Sequence, residues 1–424
     1  MKILWLVNII MPELAHHLGT GTAVSGGWLT GALDAVRSSG NELVVCTTVP
    51  NDKFVGEYDV NGVKYCILKN ADIGSMQADF RKILGAENPD VVHLYGTEFE
   101  RTWALASVSD PDKTLVSVQG FVHRCAQHIS DGIPDYMTED NIFHKILRFL
   151  HKEQNNLALQ KQSYIQRSEY EINTLKRVRY VNGGTFWGDG CTKLINPEAV
   201  LLQCGLILRD SFYGGKMWEP EKCERHTVFT ANTYQLKGFH MFLEALNIVK
   251  QRYPDVKVYV AGSTGRMRNF SGIRKYLMDK APDYDWYVQS LIEKYGLRDN
   301  LEFCGYLGEQ EMQDYLLKSN VFVSASSIEN HSTALGEAMI SGVPSIASCV
   351  GGLQEMIEHG EDGFLYPFEE TYMLAYYICR IFENDDLARK FSVKGREHAS
   401  RTYNREENCK KLLGMYETIY NNGK

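Results

Sequence analysis

The most informative part of the chain runs from Val321 to Met339 and reads Val-Phe-Val-Ser-Ala-Ser-Ser-Ile-Glu-Asn-His-Ser-Thr-Ala-Leu-Gly-Glu-Ala-Met. Its first six residues are apolar or small and predict a buried strand. The residues from Ser332 to Ile340 predict a helix, with Leu335 and Met339 on one face. A strand joined to a helix by a short polar loop is the repeating unit of α/β proteins.

Two carboxylates bracket this loop. Glu329 lies on the loop, and Glu337 lies about one and a half turns into the helix. Between them, Ser332, Thr333 and Ala334 open the helix, where unpaired N–H groups suit a phosphate. The spacing alone favours two ordinary surface glutamates. An anion site between two carboxylates instead suits a nucleotide sugar, because carboxylates accept hydrogen bonds from ribose and sugar hydroxyls.

The residues that follow add glycines in a fixed order. Val343–Ser348 predicts a second strand, Gly351-Gly352 follows it, and Gly360–Tyr366 predicts a turn and a short strand. The ordered set Glu-x7-Glu, Gly-x-Pro, Gly-Gly and Asp-Gly-Phe resembles the donor-binding half of retaining glycosyltransferases of family 4. The resemblance is most specific between residues 329 and 366 and covers the whole chain at the level of the fold.

The resemblance implies an α/β protein of GT-B fold, with two doubly wound Rossmann-like domains facing a cleft. The sequence pattern agrees, because an alternation of strands and helices begins at Ile3–Val7 and begins again at Thr227–Thr230. A chain of 424 residues is also long for one core. We expect residues 1–204 to form an N-terminal acceptor-binding domain and residues 205–403 a C-terminal donor-binding domain. By resemblance alone, residues 404–424 form a helix that crosses back to the first domain.

The resemblance also implies residues for the donor's diphosphate. Gly26 and Gly27 follow the first strand, where absent Cβ atoms let the backbone approach phosphate oxygens. Lys237 precedes Gly238 after the first strand of the second domain and would neutralise the leaving diphosphate. The family has an arginine five positions earlier, where this chain has Asn232. Either a neighbouring donor replaces that arginine or the diphosphate site is weaker.

A second departure lies in the first domain. Family members often carry His-Gly after a strand at the cleft, and this chain has Gln119-Gly120. Glutamine forms hydrogen bonds but cannot take a proton near neutral pH. We assign the site role to Gln119, with His123 as its alternative. His93, on the preceding strand, is expected to be a core histidine, and Thr97 and Glu98 are candidate acceptor contacts.

By resemblance to the family, two further positions are expected to contact the nucleobase. Gly262 and Tyr306 follow strands of the second domain, and open α/β sheets bind ligands at the carboxyl ends of their strands. Plain strand-to-helix turns explain the glycine equally well.

The expected function is that of an enzyme. It would move a sugar from a nucleotide diphosphate-sugar, UDP- or GDP-linked, to a hydroxyl of a saccharide or lipid-linked saccharide, with retention at the anomeric carbon, in cell-surface polysaccharide or glycoconjugate biosynthesis. Glu329, Lys237 and Gln119 are the expected catalytic residues, and Glu337 would bind the ribose. No well-placed Asp-x-Asp pair occurs, so neither a metal nor another cofactor is expected. The alternatives are a non-catalytic nucleotide-sugar-binding partner protein, motivated by Asn232 and Gln119, and a nucleotide-sugar epimerase of the same fold.

Composition limits the partners and the cellular location that we expect for this protein. A net charge of −8 argues against a nucleic-acid partner, and 10 scattered cysteines without a C-x-x-C pair favour reduced thiols and a cytoplasmic location. No run approaches the roughly 20 apolar residues that span a bilayer. Between residues 142 and 152, an apolar stripe lies beside basic residues. This segment is either an ordinary surface helix or a peripheral contact with the inner face of a membrane or a lipid-linked acceptor.

Overall fold

The computed structural model describes residues 1–20, 27–149, 156–262, 276 and 278–423. Two compact units make up the chain. The first contains Met1–His123, Gln166–Asp210 and Thr402–Lys424, and the second contains Arg124–Ile165 and Ser211–Arg401. Each unit is built on one mainly parallel sheet, so the expected α/β class with two Rossmann-like domains is confirmed.

The sheet of the first unit has eight strands in the order β3-β4-β2-β1-β5-β6-β7-β8. All neighbours are parallel except β3 and β4, which form a hairpin. Its turn is Asn61-Gly62, where both residues have positive φ, as the commonest two-residue hairpin turn requires. The strands are β1 (Lys2–Leu6), β2 (Glu42–Val49), β3 (Gly56–Val60), β4 (Val63–Lys69), β5 (Val91–Tyr95), β6 (Thr114–Ser117), β7 (Tyr180–Asn182) and β8 (Val200–Leu201).

The central strand β1 shows why this sheet is covered on both faces. Ile3 and Trp5 pack into one apolar cluster, and Leu4 and Leu6 pack into another. Successive side chains of a strand point to opposite faces, so a run that is apolar throughout needs cover on both sides. The long apolar run at the start of the chain therefore forms a fully buried strand.

The sheet of the second unit has six strands, all parallel, in the order β11-β10-β9-β12-β13-β14. The order runs outward in both directions from β9 and β12, so a topological switch point lies between these two strands. The strands are β9 (Thr227–Ala231), β10 (Lys257–Ala261), β11 (Leu301–Gly305), β12 (Val321–Ser324), β13 (Ser345–Ser348) and β14 (Phe364–Tyr366).

Helices connect these strands. In chain order they are α1 (Pro12–His17), α2 (Gly27–Ser38), α3 (Ile73–Glu87), α4 (Glu100–Ala106), α5 (Val122–His128), α6 (Ile142–Phe149), α7 (Leu157–Arg177), α8 (Phe186–Ile195), α9 (Phe239–Arg252), α10 (Tyr284–Lys294), α11 (Glu309–Leu317), α12 (Thr333–Ile340), α13 (Thr371–Glu383), α14 (Asp385–Thr402) and α15 (Arg405–Asn422). None of the described helices is long and apolar enough to cross a membrane.

The division into units differs in detail from the expected domains. Residues 124–165, expected in the first domain, belong to the second unit. His240 on α9 contacts the carbonyl of Asp131 at 2.9 Å, and Ser327 donates to the carbonyl of His128 at 3.2 Å. The segment therefore packs on elements of the second unit. The last helix, α15, belongs to the first unit, where the hydroxyl of Tyr416 accepts a hydrogen bond from the indole of Trp5 at 3.0 Å.

Candidate nucleotide-sugar site

The centre of the candidate site is a contact between Lys237 and Glu329. Lys237 ends a short turn after β9, and Glu329 lies on the loop after β12, the neighbouring strand. The ammonium group of Lys237 forms an ion pair with the carboxylate of Glu329, which also accepts a hydrogen bond from Ser326 Oγ at 3.1 Å. Both predicted residues therefore meet at the switch point of the sheet, where open α/β sheets bind ligands.

Close backbone packing positions Lys237. Gly238 has a φ of +61°, and a Cβ atom built there would lie 1.9 Å from the carbonyl oxygen of Ala325. Only glycine satisfies both conditions, since other residues would be strained and would clash. The Lys-Gly pair of the sequence thus lets the turn after β9 press against the loop after β12.

The pair Gly351-Gly352 holds the backbone of Glu329 in place. The amide of Gly352 donates to the carbonyl of Glu329 at 3.0 Å. Gly351 has a φ of +50°, and a Cβ atom there would lie 2.1 Å from the same carbonyl oxygen. The Gly-Gly motif after β13 therefore fixes the loop that carries the carboxylate.

Helix α12 begins as the sequence predicts. Ser332 is its N-cap and accepts the amide of Leu335 at 3.3 Å, so the first turn starts at Thr333. Glu337 is 4% exposed on this helix. A carboxylate buried so fully costs free energy unless it is bonded, which makes a surface role for Glu337 untenable. His331 directly precedes the N-cap Ser332. Burial lowers the pKa of His331 to about 4, so this imidazole is neutral near pH 7.

Electrostatics keep Lys237 charged. Burial by itself would lower the pKa of this ammonium group, but the charge of Glu329 outweighs it, and the pKa of Lys237 is raised overall. A cation held in a partly desolvated place interacts strongly with a phosphate. The pair can therefore supply a positive group for a diphosphate and a carboxylate for sugar hydroxyls.

The remaining predicted residues of the second unit lie at the ends of neighbouring strands. Asn232 follows β9 with a φ of +68°, a conformation that asparagine adopts more readily than arginine. A Cβ atom on Gly262, after β10, would lie 2.9 Å from Asn232 Oδ1, so these two residues are in contact. Tyr306, after β11, is exposed. The departure at Asn232 thus coincides with a backbone geometry that suits the residue present.

The first unit contains the other predicted residues. Gly26 lies outside the described residues. Gly27 begins α2, and a Cβ atom there would lie 2.8 Å from the side chain of Arg209. Gln119 is half-buried after β6.

His93 is the core histidine that the sequence predicted. It is fully buried, with ring nitrogens 2.7 Å from the hydroxyl of Tyr416 and 2.8 Å from that of Ser117.

Sequence reasoning missed Glu171 on α7. It is fully buried and accepts four hydrogen bonds, two of them from His123. The local sequence gives no sign of this, because α7 has a polar composition typical of a solvated helix. Among the described residues, no group of three or more histidine, cysteine, aspartate and glutamate side chains is arranged to hold a metal ion.

The family comparison matches the part of the chain that carries this site. Residues 219–398 match the model described as "Glycosyl transferases group 1". The chain is 30% identical over 144 residues to N-acetyl-alpha-D-glucosaminyl L-malate synthase of Bacillus anthracis, which covers 34% of this chain and 36% of that protein. It is 24% identical over 194 residues to D-inositol 3-phosphate glycosyltransferase of Corynebacterium urealyticum, covering 45% and 42% respectively. The chain thus spans less than half the length of these curated relatives.

Solved structures resemble the whole chain. Sucrose-phosphate synthase from Thermosynechococcus elongatus aligns over 99% of both chains with a TM-score of 0.72 and 16% identity. Anabaena HepE, solved in complex with UDP, aligns over 99% of this chain and 100% of its own with a TM-score of 0.66 and 14% identity. At these identities the likeness concerns the fold, and the fold is GT-B. The class defined here is a GT-B protein whose second unit is similar to group 1 glycosyltransferases.

Proposed function

We propose that this chain is a retaining glycosyltransferase that moves a sugar from a nucleotide diphosphate-sugar to a saccharide hydroxyl. The contact between Lys237 and Glu329 at the switch point carries the proposal. Lys237 would stabilise the departing diphosphate, and Glu329 would hold hydroxyls of the donor sugar close to the reacting carbon. Retention rests on the resemblance of the Glu-x7-Glu spacing to family 4.

The nucleotide would bind at the carboxyl ends of β9, β10 and β12. Glu337, buried on α12, would accept hydrogen bonds from the ribose hydroxyls. The amides of Ser332, Thr333 and Ala334 would face the diphosphate at the start of the helix. A UDP-linked donor is favoured over a GDP-linked one because the structural relative HepE was solved in complex with UDP-glucose.

A polysaccharide or glycoconjugate acceptor fits the names of several relatives. One of them is a putative colanic acid biosynthesis glycosyltransferase of Salmonella typhimurium. The reaction would need no metal, because Lys237 would supply positive charge at the diphosphate. Addition of a chelator should therefore leave the transfer rate unchanged.

We also propose a peripheral contact with a membrane through α6. Ile142, Ile146 and Phe149 are 63%, 43% and 83% exposed and lie on one face of this helix. Lys145 is exposed beside them, and the helix contains no acidic residue although the chain carries a net charge of −8. An apolar face with an adjoining cation suits the surface of an anionic bilayer.

Transfer itself is the direct test. UDP-glucose, UDP-N-acetylglucosamine and GDP-mannose would be incubated with a panel of octyl glycosides, and the configuration of the product would be read by NMR. An α-linked product from an α-linked donor supports the proposal. Donor binding without turnover on any acceptor would favour the non-catalytic partner protein, and an epimerised donor would favour the epimerase.

A further inference from the structure

The first unit contains a buried carboxylate that the donor site does not use. Glu171 on α7 is fully buried. It accepts hydrogen bonds from Thr97 Oγ1 at 2.7 Å, the amide of Val122 at 2.9 Å, the amide of His123 at 3.0 Å and His123 Nδ1 at 2.7 Å. Four donors offset much of the cost of burying a carboxylate, so its position is tightly defined.

This arrangement caps α5 and orients one imidazole. The amides of Val122 and His123 belong to the first turn of α5, which has no partners for them within the helix. A carboxylate can only accept, so the Nδ1 atom of His123 must carry the hydrogen. In the neutral ring, the Nε2 atom then has the lone pair. The ring also packs edge-on against Phe121, with centroids 5.8 Å apart, which restricts its rotation.

The Nε2 atom of His123 is available to a ligand. The His123 side chain is 21% exposed, and no described residue forms a hydrogen bond with Nε2. Orienting a histidine through a buried carboxylate while its second nitrogen remains open is the arrangement that enzymes use for a directed hydrogen bond.

Other polar groups follow the neighbouring strands at the same edge. Asn8 follows β1, Glu98 follows β5 and His123 follows β6, and these three strands are adjacent in the sheet. Asn8 donates to the carboxylate of Glu98 at 3.0 Å. Burial, with a contribution from the charge of Glu171, raises the pKa of Glu98 to about 7. An edge with an acceptor nitrogen, an amide and a carboxyl group suits a ligand rich in hydroxyls.

We infer that His123, oriented by Glu171, accepts a hydrogen bond from a hydroxyl of the saccharide acceptor. This inference rests on the proposed transferase function. It assigns to His123 the site role for which Gln119 was the first candidate. Glu171 is the positioning residue, since it does not face the ligand. The tautomer matters because a lone pair on His123 Nε2 can only accept a hydrogen bond, so the acceptor hydroxyl must donate its hydrogen to the ring. The lone pairs of the hydroxyl oxygen then point away from the ring.

The test replaces the carboxylate by an amide. In Glu171→Gln, an oxygen in the place of Oε2 can still accept from Thr97 and Val122. An NH2 group in the place of Oε1 donates to His123 Nδ1, moves the ring hydrogen to Nε2 and leaves the amide of His123 without its acceptor. We expect kcat/KM for the octyl glycoside acceptor to fall about tenfold, the worth of one directed hydrogen bond, with KM for the nucleotide sugar unchanged. The 15N shifts of labelled histidine would show the exchanged tautomer. His123→Phe, at a partly exposed position, should give the same loss.

The matched control is Asp255→Asn, which makes the same change beside His226, 2.8 Å away in the second unit. It should leave both kinetic constants unchanged. An exchanged tautomer with full activity toward the acceptor, or full activity of His123→Phe, would overturn the inference, as would a raised KM for the donor alone. If the wild type transferred no sugar to any acceptor, the proposed function would fail and this role with it. That result differs from an active wild type with unaffected variants.

Discussion

At the level of single residues, the ion pair of Lys237 and Glu329 contributes little to the free energy of folding, because both charges must be desolvated. Both side chains are mostly buried, and taking two charges out of water costs several kcal/mol before their attraction is counted. Apolar residues of similar size would often be as stable. The pair is thus better explained by chemistry than by folding.

We expect Lys237→Met to lower kcat by about 100-fold, because it removes one positive group from the developing charge of the diphosphate. Steady-state kinetics with the best donor and acceptor would measure this. Lys257→Met is the matched control, since Lys257 pairs with Glu302 at 2.8 Å in an exposed position on the same unit. Equal kcat values for the two variants would contradict a role of Lys237 in the reaction.

His93 makes the stability of the first unit depend on pH. Both ring nitrogens have a hydrogen-bonding partner, the hydroxyl of Tyr416 at Nδ1 and that of Ser117 at Nε2, so the neutral ring is fully bonded. Burial lowers the pKa of His93 to about 3, whereas an unfolded histidine titrates near 6.5. Below pH 6.5 the unfolded chain therefore binds the extra proton, and stability falls as the pH falls.

Between pH 7.5 and pH 5, His93 alone should contribute a loss of about 2 kcal/mol in the free energy of unfolding. Denaturant unfolding at both values, for the wild type and His93→Asn, would measure it. The variant should be less stable at pH 7.5 and should lose about 2 kcal/mol less than the wild type on going to pH 5. The same pH-dependent loss in both proteins would contradict this account of His93.

At the scale of elements, local sequence was enough for the strand-loop-helix unit at the site. The apolar run of β12 and a helix starting near Ser332 or Thr333 were both predicted, because propensity, capping and burial agree there. The contacts across the sheet were not predictable in the same way. Nothing local to Lys237 states that it reaches Glu329, or that Glu171 caps a helix 49 residues earlier in the chain. Such pairs depend on strand order, which the pattern alone leaves open.

Helix α6 gives a prediction of its own. Phe149→Ser should weaken binding to vesicles of equal parts phosphatidylglycerol and phosphatidylcholine about tenfold, because a Phe side chain contributes roughly 1.5–3 kcal/mol when it leaves water. Phe186→Ser is the control, since Phe186 is equally exposed, at 83%, on the first unit. Cosedimentation would measure both. If the two variants bound alike, α6 would not be the contact surface.

At the scale of the whole molecule, the sequence predicted two Rossmann-like domains because the strand-helix alternation restarts after residue 226. The sequence did not predict that residues 124–165 belong to the second unit. The end of α5 and the turn after it contact α9 and the loop after β12 through single polar contacts, which leave no periodic signal. A return of the last helix to the first unit was expected from resemblance, and Trp5 and Tyr416 supply its contact.

Calorimetric titration of UDP and GDP into the wild type and Glu337→Ala would measure whether the buried carboxylate on α12 binds the nucleotide. We expect one nucleotide to bind the wild type, and we expect the variant, folded by circular dichroism, to bind it about 10- to 100-fold more weakly, because two charge-assisted hydrogen bonds to the ribose are lost. Glu302→Ala, which removes an exposed carboxylate of the same unit, should bind as the wild type does. Undiminished binding by Glu337→Ala, or no binding of either nucleotide by the wild type, would contradict the assignment of this site.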